Sequence, residues 1–398
     1  MKIASCLATL ALTALASDLR ALDWPNYRGP DHNGISKETG WSVKWPADGP
    51  KQLWKRKTGL GFASFAVANG RVYTTGNANK QDTVFCFDAS TGAEVWKFSY
   101  NAPLDDKYYQ GGTSATPTVD GDRVYTFSKR GVVHCFDAAK GTVIWSKNLA
   151  EELKAAFPEW YFASSVLIEG DLALLNVGSA GAALDKKTGK VVWSSGPDAA
   201  GYSTPVPFNT GGDRAMMLAI KQDVIALKVK DGAELWRFPW KTQYDVNAAD
   251  PILNGSKVFI SSGYNRGAGV FDISAKPPKK IWENKNLRNH MASSILLNGH
   301  LYGIDENQLR CVVFDTGEVK WTDKVSGKGA LMMADGKLIV LSEVGELLVA
   351  EASPGGFKPI SRAQVLGKTC WAAPVLANGK IYCRNGNGDV VCVEVSGK

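Results

Sequence analysis

The chain has 398 residues, 44% of them hydrophobic, and a formal net charge of +7. It is therefore long enough to bury a large core. Its positive residues are scattered, with "KRK" at 55–57 and "KPPKK" at 276–280 as the only clusters, which argues against a nucleic-acid-binding stripe. Beyond the N-terminal stretch no apolar run is long enough to cross a bilayer as a helix.

Residues 1–16 open with Lys2, continue as an apolar run and end in the small-residue pattern Ala14-Leu15-Ala16. This pattern predicts a secretory signal peptide and a periplasmic or secreted protein. Cys6 lies inside the apolar run, which disfavours lipid attachment. The segment 17–49 follows, dense in Pro, Gly and Trp over 23–49, with Arg28 and Asp31 inside "YRGPDHNG". It is expected to run extended across the fold, held by Trp24, Trp41 and Trp45, and it carries too few carboxylates for a calcium loop. After it comes an isolated strand pattern, "PKQLWKRK" at 50–57, carrying Trp54.

From there the sequence repeats. Asp88-Gly92-Trp96, Asp137-Gly141-Trp145 and Asp185-Gly189-Trp193 share one spacing, and Lys228-Gly232-Trp236 keeps it without the acid. Asp272 precedes Trp282 by two residues more than this spacing, while Asp315-Gly317-Trp321 reads as two fewer. A seventh copy, "VAEASPGGFKPI", has Glu351, lacks the Trp and puts Ile360 nearest its place. A second signal counts eight units: apolar segments flank turns at Gly70, Gly121, Gly170, Gly212, Gly255, Gly299, Gly336 and Gly379. Asn-Gly and Asp-Gly between alternating apolar residues mark tight hairpins, so each unit reads as four short strands.

Four-stranded units at this period predict an all-β fold, an eight-bladed β-propeller over residues 50–398. The eighth unit stops where its Trp strand should begin, so residues 50–57 are expected to complete the last blade and remove the open sheet edges. Gly serves the turn, the acid accepts backbone hydrogen bonds, and Trp54, Trp96, Trp145, Trp193, Trp236, Trp282 and Trp321 pack between blades. Six cysteines remain after the signal, with no Cys-x-x-Cys and no adjacent pair; Cys86, Cys135 and Cys392 occupy repeat-equivalent positions, as separate core residues would.

The D-x-x-x-G-x-x-x-W repeats resemble the tryptophan-docking motifs of the pyrroloquinoline quinone (PQQ) repeat propellers, and "DWPNYRGPDHNGIS" is similar to the start of exported PQQ-like proteins. That resemblance implies one of two classes: PQQ-dependent alcohol and sugar dehydrogenases, or shorter non-catalytic propellers typified by BamB. The dehydrogenase class brings a quinone, calcium, a carboxylate base and, in the alcohol enzymes, an adjacent cysteine pair and often a haem segment. The cysteine pair and haem motif are absent here, so a non-catalytic binding or assembly scaffold is expected, with no cofactor. A PQQ-dependent dehydrogenase with calcium, using Asn247 and Asp250 as metal ligand and base, is the alternative.

Function usually sits on variable loops over a rigid scaffold. Here the blade-to-blade connections vary in length and the turns do not, so the connection face and its central funnel are the candidate site. The candidates are Tyr109 and Gln110, Trp160 and Tyr161, Tyr202, Tyr244, Asn247, Asp250, Asn289 and His290, Lys328, and Trp371. Aromatics mixed with a few polar groups suit a planar or sugar-like ligand. The expected partner is an envelope or secreted protein or polymer, bound by a monomer.

Overall fold

The computed structural model describes residues 22–107, 109–324 and 327–397; the expected signal peptide lies outside them. Eight antiparallel sheets form the blades of a propeller. Blades 1 to 7 span 66–101, 118–148, 167–194, 206–239, 252–284, 295–323 and 330–364, and blade 8 spans 375–394 plus an N-terminal strand. In each blade the chain enters an innermost strand, often of three residues, and steps outward to the strand carrying the Trp. The two middle strands read as nearly continuous apolar runs, such as "KLIVL" and "ELLVAE", because neighbouring blades cover both of their faces.

Two strands of the N-terminal segment join the ring. β1 (Ile35–Ser36) pairs in parallel with the innermost strand of blade 7, and β2 (Gln52–Lys57) completes blade 8 antiparallel to Asp389–Glu394, with Trp54 opposite Cys392. The closure is reinforced between blades 8 and 1 by Arg384. Its fully buried guanidinium donates to the Ala63 carbonyl (3.0 Å), the Thr74 hydroxyl (3.1 Å) and the Thr75 carbonyl (2.7 Å). Burial pushes it down to about 9.

Each docking tryptophan reaches into the next blade. The indole N–H groups of Trp54, Trp96, Trp145, Trp193, Trp282 and Trp321 donate to the carbonyls of Ala89, Ala138, Lys186, Val229, Phe314 and Ser353 at 2.8–3.2 Å. The ring lies on the turn glycine: a Cβ on Gly92, whose φ is +66°, would meet Trp54 at 2.6 Å. Asp88 stabilises that turn by accepting from the backbone N–H groups of Ser90 and Thr91 and from both hydroxyls. Opposite the indoles of Trp54, Trp96, Trp145 and Trp321 stand Cys392, Cys86, Cys135 and Cys311, all buried and free, as separate core residues.

The structure corrects the repeat at three places. Blade 6 has the ordinary spacing: Val313, not Asp315, holds the acid position, since Gly317 N–H bonds to the Val313 carbonyl as Gly92 N–H does to Asp88. In blade 7 the Trp position is Ser361, opposite Val349, rather than Ile360. The slot thereby left on blade 8 is filled from the N-terminal segment: Ser42 N–H bonds to the Val395 carbonyl at 2.7 Å, and Trp41 is buried with residues of blades 7 and 8. Finally, the blade 5 turn contains no glycine, and the Trp236 indole N–H that faces it is buried without a partner among the described residues.

Candidate ligand funnel

Residues 22–34 enter the central channel. Trp24 forms a two-way backbone bridge with Val67 of blade 1, the Pro25 carbonyl accepts from Val119 of blade 2, and Arg28 donates to the Ser294 carbonyl beside blade 6 at 2.8 Å. The stretch "NYRGPDHNG" closes on itself through bonds from Gly29 to Asn26, His32 to Gly29 and Gly34 to Arg28. Arg28 itself takes the left-handed backbone, φ +66°. This compact loop plugs the channel, so the funnel is a blind cavity of about 390 Å³ with Trp24, Tyr27, Arg28 and Gly34 among its lining residues.

Above this floor runs a belt of polar residues, one just before the innermost strand of each of blades 1 to 6. The backbone N–H of Ser64 donates to the Thr116 hydroxyl, Thr116 to Ser165, Ser165 to Thr204, Thr204 to the Asp250 carboxylate and Asp250 to the Ser293 hydroxyl, at 2.9–3.0 Å. Blades 7 and 8 put Ala330 and Ala373 in the wall instead. Asp250 is the one acid in the cavity lining. Burial lifts its carboxyl to about 6, against the pull of Arg28, whose Nε lies 3.8 Å from Oδ2. Tyr27, near the same carboxylate, is pushed up to about 12 by burial first and by the Asp250 charge second.

The rim is aromatic. Phe62 stacks on Trp371 with centroids 5.0 Å apart and packs against Tyr109 at 5.9 Å. On the other side Trp160 lies against Tyr202 and Tyr264, and Tyr264 against His290 at 4.5 Å. Second contacts hold the rings. The Trp371 indole donates to Glu343 at 2.9 Å, the Trp160 backbone N–H donates to the Tyr202 hydroxyl at 3.2 Å, and Lys129 donates to the Tyr109 hydroxyl from below. Burial lowers Lys129 to about 8 despite Asp105 and Asp82 nearby. His290 is also held below the usual histidine range, by burial and then by Lys328, and its Nδ1 is buried without a partner among the described residues.

Of the twelve candidates, Tyr109, Trp160, Tyr202, Asp250, His290, Lys328 and Trp371 line the cavity. Five do not. Asn247 and Asn289 are turned into the wall, where each amide donates to loop or strand carbonyls and accepts from the Ser262 or Ser294 hydroxyl. Gln110 reaches Thr369 at 3.4 Å, and Tyr161 lies under the Arg130 guanidinium at 4.1 Å. Tyr244 is half exposed and belongs to an adjoining groove, walled also by Phe157, Trp160, Tyr202 and Tyr264. Sequence reading missed Phe62, Tyr264 and the belt hydroxyls. It placed Arg28 in a strap without seeing that the strap enters the channel. Aligning the residue at the head of each innermost strand shows the belt.

The family profile described as outer membrane protein assembly factor BamB matches residues 36–113 and 82–323, most of the chain. The chain belongs to the BamB-like PQQ-repeat propeller family. No curated protein sequence matches it. Among solved structures, BamB from Moraxella catarrhalis superposes with a TM-score of 0.64 at 16% identity, covering 87% of this chain and 99% of that one. A quinohemoprotein alcohol dehydrogenase from Comamonas testosteroni gives 0.69 at 14% identity, covering 95% and 81%. A europium-containing methanol dehydrogenase gives 0.68 at 12%, covering 93% and 89%. At these identities the likeness carries the fold alone, and both functional classes of the PQQ-repeat family share it.

The residues present fit a quinone and metal pair poorly. Among the described residues no group of three or more His, Cys, Asp or Glu stands together as a metal site. Asn247, the sequence candidate for a metal ligand, has both amide atoms engaged in the wall. The one arginine of the cavity lining is occupied by three backbone carbonyls and Asp250, which leaves a polycarboxylate such as PQQ with Lys328 as its remaining cation.

Proposed function

We propose that this propeller is an exported, non-catalytic binding scaffold that holds an envelope or secreted partner on its connection face. The observation that carries the reading is the continuous aromatic surface there. The funnel rim runs through Trp160, Tyr202 and Tyr264 into a groove of about 690 Å³ whose outer edge exposes Phe157 and Tyr244. Large apolar side chains exposed together beside a pocket mark interaction sites, and aromatics supply contact area at low entropic cost. The BamB-like fold supports the reading, since the family profile is named for an assembly factor. The signal-peptide pattern of residues 1–16 supports export.

Two measurements test this. A photo-crosslinking amino acid at Phe157 or Tyr244, in the protein expressed in its own envelope, is expected to give discrete adducts, and the same group at Lys140, an exposed turn residue of blade 2, is not. The purified protein supplied with PQQ and calcium is expected to reduce no dye with alcohols or sugars. Dye reduction that requires PQQ and disappears in Asp250→Ala would overturn the scaffold reading in favour of a dehydrogenase.

A further inference from the structure

We propose that the blind funnel is a binding site for a neutral carbohydrate unit, which makes the partner of the connection face a glycan. The inference rests on the binding reading above and names its ligand class. Three observations converge on it.

The first is charge. The lining holds Arg28, Asp250 and Lys328, with His290 held toward its neutral form. Arg28 and Asp250 face each other, and Arg28 donates in addition to the carbonyls of His32, Asn33 and Ser294. An anionic ligand would meet the Asp250 carboxylate at the floor, and a cationic one would meet Arg28 and Lys328. An anion that pairs with Lys328 would still meet the Asp250 carboxylate, and a cation finds only an acid that Arg28 already partners, so either ion is desolvated without full compensation. A neutral ligand escapes both penalties.

The second is the belt. The hydroxyl oxygens of Thr116, Ser165 and Thr204 each accept one backbone N–H, which fixes their position. Their own protons have no partner among the described residues, although all three side chains are buried and line the cavity. Blades 2, 3 and 4 therefore present a row of preorganised O–H donors. Ser64 differs, because its hydroxyl donates to the Ala373 carbonyl at 2.7 Å. At the end of the row, next to Thr204, the Asp250 carboxylate offers an acceptor. A polyol, whose hydroxyls each accept and donate, meets these donors and this carboxylate together.

The third is shape. Two aromatic platforms, Phe62 with Trp371 and Trp160 with Tyr264, flank the mouth. A pyranose ring has an apolar C–H face that lies on such a platform and hydroxyls at its edge that reach the belt. A cavity of about 390 Å³ accommodates one or two such rings.

The test is titration of the purified protein, followed by tryptophan fluorescence and calorimetry, with glucose, galactose, N-acetylglucosamine and maltose, against glucuronate and PQQ. At least one neutral sugar is expected to bind. Trp160→Ala is expected to weaken that binding by at least about tenfold, and Ser165→Ala, which removes one belt donor, by severalfold. Each variant is first checked for an unchanged melting curve, and Trp371→Phe serves as a second rim variant if Trp160→Ala melts early. No binding by any neutral sugar of the panel, tighter binding of glucuronate or PQQ, or sugar binding indifferent to both rim variants would overturn the assignment. Crosslinks at Phe157 and Tyr244 that persist while no sugar binds would sink this inference and leave the scaffold reading standing.

Discussion

Asp250 shows how one buried residue ties the floor of the funnel to the energetics of the fold. Its carboxyl is raised to about 6, chiefly by burial, with Arg28 pulling the other way. An acid raised on folding holds its proton more tightly in the native state than in the unfolded chain. Its stabilising contribution is fully present below the unfolded value near 4 and is lost as pH rises through about 6. Between pH 7 and pH 4 the wild type is therefore expected to gain on the order of 2–3 kcal/mol relative to Asp250→Asn, which cannot titrate. Urea melts of both proteins at pH 4.5, 6 and 7.5 measure the difference, and a pH-independent difference contradicts the assignment. At this scale the sequence was partly legible. Most aromatic and charged candidates of the entry loops reached the cavity, because side chains too large or polar for the blade interior collect on this face, and Tyr161 and Tyr244 settled beside it instead. Asn247 and Asn289 carry the same surface-like chemistry, yet their amides bond to loop or strand carbonyls in the wall, and nothing in residue type distinguishes the two outcomes.

At the scale of the element, the docking tryptophan joins blade to blade through an apolar ring and one hydrogen bond, and the irregular copies separate the two contributions. Trp96 donates to Ala138 at 2.9 Å, whereas the Trp236 N–H has no partner. Replacing either by Phe keeps most of the ring, so Trp96→Phe is expected to cost about 1 kcal/mol more than Trp236→Phe. Denaturant midpoints with unchanged slopes check this, and equal costs would show that the hydrogen bond contributes nothing. Trp41→Ala is expected to cost about 3–5 kcal/mol, as a core tryptophan does, although Trp41 belongs to no repeat. A cost under about 0.5 kcal/mol, within the range of surface substitutions, would place Trp41 outside the docking ring. The regular copies were legible because turn, acid and indole lie within nine residues and obey one spacing. The docking place of Trp41 was not, because it fills the vacancy of blade 7 from more than three hundred residues earlier in the chain, and spacing reads only local pattern.

For the whole molecule, the N-terminal segment does two separable jobs. Residues 22–36 plug the channel and floor the funnel, through Trp24, Arg28 and β1. Trp41 and β2, with Trp54, close the ring between blades 7, 8 and 1. Open sheet edges invite association and non-native pairing, so the second job governs whether the ring forms, and the first governs whether the finished ring has a pocket. A protein beginning at residue 37 keeps both tryptophans and the closing strand. It is expected to elute as a monomer and melt cooperatively, a few kcal/mol less stable because Trp24 and the Arg28–Asp250 contact are gone, and to lose sugar binding with the floor. A protein beginning at residue 59 lacks the closing strand and two docking tryptophans, and is expected to aggregate or to melt without a cooperative transition. Size exclusion and calorimetry on the two truncations discriminate the roles. A residue-59 protein that melts like the full chain would show that seven complete blades and an open eighth suffice, and a residue-37 protein that fails to fold would move the plug from the pocket to the foundation of the ring.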